Sequence, residues 1–284
     1  MARRTVELTG VVGNGSDGVK SVILPIGLDY MTVNLVVDSG TVTAAQVTDM
    51  KVYANSDMIR NYSGSDQDNM NQFDRLTAMG GTILRIPFEM IGMKRPDQQY
   101  ATTLATGLPD PINGKVIATS RIEWTTTGGG APVFRVFAEV DDSLSGPGAI
   151  IRIKKYTDTL AGTSEQGFGY KIPFGTSDIR FWRRLFWSVS AGATTQYRLL
   201  VGTSNSEYMK RTKALNTRIL ADGVKTLGAS FDFVMDTTEL GISEMIDTMI
   251  PTPKGLNSIG VMDPRITASA AATVTFLHET VGEL

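Results

Sequence analysis

The chain has 284 residues, of which 42% are hydrophobic, 8% aromatic and 20% charged, and its 27 basic and 29 acidic residues give a net charge of −2. This near-neutral balance excludes a protein that condenses nucleic acid through bulk positive charge. Without cysteine the chain has no disulfide, thiolate metal site or thiol nucleophile, and its single histidine, His278, excludes sites that need two imidazoles.

Residues 1–19 are expected to form an N-terminal arm. Within it, residues 13–18 have the spacing G-x-G-x-x-G of a dinucleotide-binding loop. That loop has to lead into a helix, whereas residues 19–24 have a strand pattern, so a turn explains the glycines better. No apolar run reaches the roughly 18 residues of a membrane-spanning helix or follows the basic start as a signal peptide would, so we expect a cytoplasmic product.

Short alternating runs rich in valine and threonine lie between turn residues along most of the chain. This pattern predicts a many-stranded antiparallel protein. The first series of predicted strands comprises residues 21–27, 31–38, 49–55, 82–88, 115–124 and 133–140. The second series comprises residues 150–156, 179–190, 196–202, 230–235, 258–262 and 272–279.

Two segments have the apolar spacing of helices. The first begins at Ser65 and ends at Gly80, and the second begins at Ser206 and ends at Asp222. Serine is a favourable N-cap, and a glycine closes each segment. Each predicted helix lies between two predicted strands.

The order of these elements repeats. Three pairs of matching positions are separated by the same 148 residues: Pro25 and Pro173, Ser56 and Ser204, and Thr82 and Ser230. The repeat predicts two copies of one β domain, at 20–143 and 144–284. About eight strands in each copy, with long connections, favour an all-β fold of two tandem eight-stranded jelly-roll sandwiches, each with one short helix in an inter-strand connection.

Three aspartates are candidate calcium ligands. Asp141 and Asp142 close the first strand series, and Asp110 lies in a loop. Carboxylates in loops can hold calcium, although adjacent aspartates at a strand end are more often solvated turn residues. No serine-elbow motif and no second histidine accompany His278, so we predict no catalytic residue, no cofactor and no enzymatic activity.

Residues 180–187 mix arginine with aromatic side chains. Such a mixture can bind single-stranded nucleic acid or a lipid surface, or it can form a strand covered on both faces at a subunit contact. We favour the subunit contact because no wider basic field surrounds the segment. The interface candidates are Arg180, Trp182, Arg183, Arg184 and Trp187.

Six short segments, taken in order, carry a family resemblance. They are SVILPIGLDY at 21–30, AQVTDMKV at 45–52, RIEW at 121–124, YRLL at 197–200, SFDFVM at 230–235 and TVTFLHE at 273–279. The chain resembles corticovirus-type major capsid proteins, whose double jelly-roll fold is shared with the tectivirus and adenovirus capsid proteins. The glycine-rich residues 10–18 have no confident match in that family.

This resemblance implies a major capsid protein of an icosahedral, bacteriophage-like virus with an internal membrane. Three subunits would form a pseudo-hexagonal capsomer that contacts neighbouring capsomers, vertex (penton) proteins and minor capsid proteins. Arg3 and Arg4 are candidates for touching the membrane or a neighbouring capsomer, and no direct genome binding is expected. The family is also associated with calcium. The protein would be assembled in the host cytoplasm and reside in the virion.

The alternative is a carbohydrate-binding or spike-type β-sandwich protein, because jelly rolls also occur in lectins and tail appendages. The native mass distinguishes the two hypotheses. A stable trimer supports the capsid role, whereas a monomer that binds glycans supports the alternative.

Overall fold

The computed structural model describes residues 3–91, 93, 95–111, 113–128, 130–142, 146–223, 225–228, 230–238, 244–253 and 255–284. The chain divides into two compact units, Met1–Ile153 with Leu284, and Lys154–Glu283. The division that the sequence predicted, between residues 143 and 144, lies outside the described residues.

The first unit is built almost entirely of strands. They are β1 (Arg4–Leu8), β2 (Gly18–Ile23), β3 (Leu28–Ser39), β4 (Val47–Ala54), β5 (Asp57–Tyr62), β6 (Ile83–Pro87), β7 (Leu104–Ala105), β8 (Ser120–Thr126) and β9 (Val133–Asp142). Its helices are α1 (Gly64–Phe73), α2 (Pro96–Gln99) and two 3-10 turns, Ala44–Gln46 and Tyr100–Thr102.

These strands form two antiparallel layers. One has the order β1-β9-β3-β6, with β7 also paired to β3, and the other contains the run β5-β4-β8-β2. Along β9 and β8 every second side chain is buried, which places the core between the layers. The rings of Trp124 and Phe134 meet edge to face at 5.5 Å and join one layer to the other.

The second unit continues with more strands. They are β10 (Ile150–Leu160, which contains the division point), β11 (Gln166–Gly167), β12 (Phe181–Val189), β13 (Thr194–Val201), β14 (Ser206–Thr212), β15 (Phe233–Asp236), β16 (Ile246–Asp247), β17 (Met249–Thr252), β18 (Gly255–Ser258), β19 (Met262–Ala268) and β20 (Ala272–Gly282). Its helices are a 3-10 turn, Ser177–Ile179, and α3 (Lys213–Asp222).

The second unit is also a sandwich. One layer contains the run β15-β12-β20, with β16 also paired to β12, and the other has the order β11-β19-β13-β14. Trp187 of β12 stacks on Phe233 at 4.9 Å and meets Tyr197 of β13 edge to face at 5.4 Å. These aromatic contacts hold the two layers around one apolar core.

The two units share a supersecondary pattern. In the first, the β4–β5 hairpin leads into the ten-residue helix α1 and then β6. In the second, the β13–β14 hairpin leads into the ten-residue helix α3 and then β15. Helix α3 begins 149 residues after α1, close to the repeat length that the sequence predicted.

The helix boundaries differ from the prediction. α1 is capped by Ser63, whose hydroxyl accepts from the Asp66 amide while the Asp66 carboxylate accepts from the Ser63 amide. The segment predicted as helix from Ser206 is instead strand β14 up to Thr212, because it pairs with β13. The hydroxyl of Thr212 then caps α3 by accepting from the Leu215 amide.

Part of the predicted N-terminal arm, residues 1–19, belongs to the sheets of the first unit instead of lying outside them. β1 pairs antiparallel with β9, and β2 begins at Gly18 and pairs with β8, so both strands extend the sheets of the first unit. The alternation in residues 4–8 is short and mostly exposed, which hid β1 from the sequence pattern. No helix among the described residues is long and apolar enough to cross a membrane.

Candidate functional site

The predicted interface strand β12 lies inside the second unit. Trp182, Arg183 and Arg184 are each 2% exposed and Trp187 is 1% exposed, so these four side chains are not available at the surface of the chain. The reason is topological, since β12 pairs with β15 on one side and with β20 on the other. Their assignment to a subunit interface is therefore corrected.

A bulge in β12 decides which side chains share a face. Simple alternation places Arg183, Leu185 and Trp187 together, but the register against β20 shifts between Trp182 and Arg184. Trp182, Leu185 and Trp187 consequently enter the same apolar core. Phe186 instead contacts Phe231, with ring centroids 4.8 Å apart.

The buried arginines of β12 are balanced by carboxylates from both neighbouring strands. Arg184 lies 3.3 Å from Asp236 of β15 and 3.7 Å from Glu279 of β20, and Arg183 pairs with Glu279. Lys225 donates to the same oxygen of Asp236, Oδ2, at 2.6 Å. Each charge in this buried ion cluster has a partner, so removal of one member would leave an uncompensated charge in the interior.

Asp236 shows the effect of its partners most clearly. Burial alone would raise its pKa, but the charges of Arg184 and Lys225 hold that pKa well below its ordinary value. The Thr238 hydroxyl also donates to Asp236 at 2.6 Å. Asp236 is thus ionised, buried and structural.

Arg180 is the one interface candidate outside this interior. It precedes β12, is partly exposed and forms a bidentate pair with Asp247, the closest contact being 2.6 Å. Its role at an interface stays a prediction.

His278 is buried on β20 against the edge of Trp182, with ring centroids 5.0 Å apart. Burial lowers the pKa of His278 to about 3, so the imidazole is neutral near pH 7. Its Nε2 is buried and has no hydrogen-bond partner among the described residues. The ring acts as a packing group.

The predicted calcium candidates lie in different settings. The carboxylate of Asp110 accepts from the Asn113 amide within a turn, and Asp142 pairs with Arg4 at 2.8 Å. Asp141 lies directly opposite Asp29 in the β3–β9 pair, and one buried carboxylate oxygen of each has no hydrogen-bond partner in the described part of the chain. Among the described residues no group of three or more His, Cys, Asp or Glu side chains could hold a metal ion.

The pKa of Asp29 is raised above its ordinary value. Burial raises its pKa, the Thr103 hydroxyl lowers it by donating a hydrogen bond, and the charge of Asp141 raises it. Asp29 could not be predicted from the sequence, because its partner Asp141 lies more than a hundred residues away.

Arg3 and Arg4, the residues predicted to contact a membrane, are each paired with a carboxylate of the first unit. Arg3 pairs with Glu139 and lies 3.5 Å from Glu89, and Arg4 pairs with Asp142. Both guanidinium groups remain partly exposed. Each is therefore anchored beside carboxylates on the first unit, and contact with a lipid surface stays a prediction.

An exposed apolar surface lies at the edge of the first unit. β2 is the last strand in its run, and Val12 forms an isolated bridge with Ser21 on its outer side. Val12, Val19 and Ile23 are 68%, 66% and 73% exposed. We call these three residues the edge patch.

A second exposed apolar surface belongs to the hairpin of β17 and β18, residues 249–258. These strands pair with each other and with no other described strand. Ile250 is 48% exposed and Leu256 43% exposed. Their alternation is too short for the sequence to have distinguished this apolar hairpin from an ordinary turn.

Comparisons with known proteins agree with this architecture. Residues 5–141 match the family model described as viral coat protein P2 N-terminal domain. The fold is similar to the major capsid protein P2 from bacteriophage PM2, with a TM-score of 0.81 and 15% identity over 99% of this chain and 97% of that chain. It is also similar to the STIV MCP, with a TM-score of 0.62 and 9% identity over 99% of this chain and 97% of that chain. The PBCV-1 virus capsid protein is similar with a TM-score of 0.58 and 8% identity over 99% of this chain and 93% of that chain. No curated protein sequence matches the chain.

The fold and the family match together define a viral major capsid protein with the double jelly-roll fold. Residues 5–141 thus form the part of the chain that matches the viral coat protein P2 N-terminal domain, and the chain as a whole has the double jelly-roll fold. The predicted fold class and capsid function are confirmed. The comparisons support the capsid function and not the carbohydrate-binding alternative.

Proposed function

We propose that three copies of this chain form a pseudo-hexagonal capsomer that tiles an icosahedral shell. The observation that carries the proposal is the pair of sandwich units with a common hairpin–helix–strand order in one coat-protein chain. Three chains supply six such units, which is the number that fills a hexagonal lattice position. Closed cyclic symmetry is the ordinary way for identical chains to complete such a ring.

The native mass tests this proposal. Native mass spectrometry of the purified protein is expected to give a species of three times 30.7 kDa that persists on dilution. Large, apolar, obligate interfaces dissociate slowly. A mass of 30.7 kDa at every concentration would contradict the capsomer.

The remaining roles belong to the same proposal. The capsomer contacts neighbouring capsomers, vertex proteins, minor capsid proteins and an internal lipid membrane of a bacteriophage-like virion that is assembled in the host cytoplasm. The net charge of −2 supports a shell that does not bind the genome directly. The coat-protein family supports a structural rather than a catalytic role.

Membrane contact is assigned to Arg3 and Arg4. Replacing both by alanine is expected to weaken binding to anionic vesicles at low salt, because each cation near the surface contributes about 1 kcal/mol. Arg218→Ala, at an exposed ion pair with Asp222, is the control. Equal vesicle binding by all three proteins would remove this assignment.

Calcium binding is assigned to Asp141, supported by its unpartnered oxygen and by the opposing carboxylate of Asp29. Calcium takes six to eight oxygens, and since the other candidates, Asp110 and Asp142, lie in settings of their own, backbone carbonyls would have to supply most of them. Calcium is expected to raise the melting temperature of the native protein but not that of Asp141→Asn. An equal response to magnesium, or no response, would contradict the assignment.

A further inference from the structure

We propose that β1 is a detachable strand whose pairing with β9 holds Arg3 and Arg4 in an inhibited state. While β1 is paired, both guanidinium groups are neutralised by carboxylates of the first unit. When β1 leaves β9, the two charges become available to a negatively charged lipid surface. The inference rests on the proposed function, because it names what controls the contact assigned to these two arginines.

β1 is attached to its layer with little apolar burial. Of its five residues only Leu8 is buried and Val6 is half-buried, while the other three are exposed. β1 is the last strand of its layer and, among the described strands, pairs only with β9. Segments with few buried apolar contacts open locally at the lowest free energy. Detachment of β1 therefore removes little of the core of the first unit.

The strand at the opposite edge of the same layer is attached differently. β6 also has five residues and pairs with β3 alone among the described strands. It buries Leu84 and Ile86 completely. Because burial of apolar side chains is the main source of stability, β6 stays paired under conditions that release β1. The two strands form a matched comparison within one sheet.

Ion pairs hold β1 and the residue before it against the first unit. Three of them reach residues of β9: Glu7 with Arg135, Arg4 with Asp142 and Arg3 with Glu139. Glu7 accepts two hydrogen bonds from its partner, each 2.8 Å long, and Arg4 lies 2.8 Å from its own partner. All six side chains are partly exposed, so dissolved salt screens these pairs. The attachment of β1 is therefore sensitive to salt.

The chain after β1 provides the hinge. Residues 9–11 make no backbone–backbone hydrogen bond to any residue that the structure describes. Gly10 has a φ of 81°, and a side chain there would meet nothing within 4 Å. Asn14 then fixes the chain, since its side chain donates to the Phe134 carbonyl at 2.9 Å and accepts from the Phe134 amide at 2.7 Å. Movement is consequently confined to residues 3–11.

The paired strand competes with a lipid surface for the same two charges. Besides its pair with Glu139, Arg3 lies 3.5 Å from Glu89, whose side chain is 2% exposed. Arg4 is paired with Asp142. A charge that already has a partner attracts a second anion less strongly. Detachment of β1 separates both arginines from these carboxylates in one step.

Hydrogen exchange of the native protein, followed by mass spectrometry, compares the two edge strands. Raising NaCl from about 0.01 M to about 1 M shortens the screening length from about 30 Å to about 3 Å. We expect exchange in residues 4–8 to become at least about threefold faster, because exposed ion pairs contribute modestly, while exchange in residues 83–87 stays unchanged. The same response in both strands, or no response in β1, would overturn the inference.

A disulfide between β1 and β9 prevents detachment without removing a charge. Val6 lies directly opposite Ala138, at a separation that suits a disulfide, and the native chain has no cysteine. Oxidised Val6→Cys/Ala138→Cys is expected to bind phosphatidylglycerol vesicles at low salt at least about fivefold more weakly than the same protein after reduction, which is the effect of one cation at such a surface. The native protein, with and without reductant, is the control.

Failure of this inference is distinguishable from failure of the proposed contact. Equal vesicle binding by the oxidised and reduced forms, with weaker binding by Arg3→Ala/Arg4→Ala, overturns the inhibition by β1 and leaves the contact standing. Vesicle binding that Arg3→Ala/Arg4→Ala does not weaken overturns both.

Discussion

Strands β12 and β2 occupy opposite positions in their sheets. β12 is paired with β15 on one side and with β20 on the other, whereas β2 is paired fully with β8 and, as far as the structure describes the chain, has only the Val12 bridge on its outer side. β12 buries charged arginines, while β2 leaves Val19 and Ile23 in solvent. From the residue types alone, the arginines of β12 would be expected in solvent and the valine and isoleucine of β2 in the interior.

The difference shows that pairing partners decide burial in this fold. β12 can bury Arg184 because β15 contributes Asp236 and β20 contributes Glu279. Within the described residues no strand or layer covers the outer face of β2, so its alternation leaves Val19 and Ile23 exposed. Exposed apolar side chains consequently lie on the edge strand β2 and in the apolar hairpin rather than on the aromatic strand β12.

Breaking the buried ion cluster should have the largest effect. Asp236→Ala leaves Arg184 and Lys225 without their shared carboxylate and is expected to lower the free energy of unfolding by about 3–5 kcal/mol. Urea denaturation measures this. Asp247→Ala, which removes the partly exposed partner of Arg180, should cost about 1 kcal/mol or less. Equal losses in the two variants would contradict the distinction between interior and surface.

The buried histidine of β20, beside β12, should make the fold sensitive to acid. Its pKa is about 3 in the folded chain and about 6.5 when unfolded, so the unfolded state binds the extra proton between these values. The stability that neutral His278 contributes is complete above pH 6.5 and is lost as the pH falls toward 3. By pH 4.5 the loss should be about 2–3 kcal/mol.

His278→Leu isolates this contribution. The variant should lose less stability than the native protein between pH 7 and pH 4.5, as measured by urea denaturation at both values. Asp29, whose raised pKa has the opposite sign, is present in both proteins and its contribution cancels. Identical pH dependence in the two proteins would show that His278 is accessible to protons in the folded state.

The smallest effect is expected on β2. Val19→Thr should change the free energy of unfolding of the dissociated chain by no more than about 0.5 kcal/mol, because its side chain is already in water. Val274→Thr, the same substitution at a fully buried position of β20, should cost about 1–3 kcal/mol for the buried hydroxyl. A loss of similar size at Val19 would mean that the edge patch is covered within the chain.

Local sequence patterns were sufficient to predict the architecture of two tandem β units. The valine–threonine alternation and the constant spacing of turn and helix signals predicted tandem β units, and the α1–α3 separation agrees with that spacing. These features depend on residues close together in the sequence. The order of strands within each sheet was not predictable in the same way.

The burial and pairing of the site residues were harder to predict from the sequence, because they depend on partners that are distant along the chain. Burial of Arg184 depends on Asp236 and Glu279, both many residues away, and the bulge at Arg183 breaks the alternation that had placed the side chains on faces. β14 was mistaken for the first part of a helix because its pairing with β13 is invisible in its own residues. A period of two shows that a strand has two faces but not which face is covered.

Electron microscopy of the purified oligomer tests the central claim most directly. Class averages viewed along the symmetry axis should show a roughly hexagonal outline with six lobes of similar size, since three chains supply two sandwich units each. Isolated two-lobed particles, or a ring whose lobe number is not six, would contradict the capsomer.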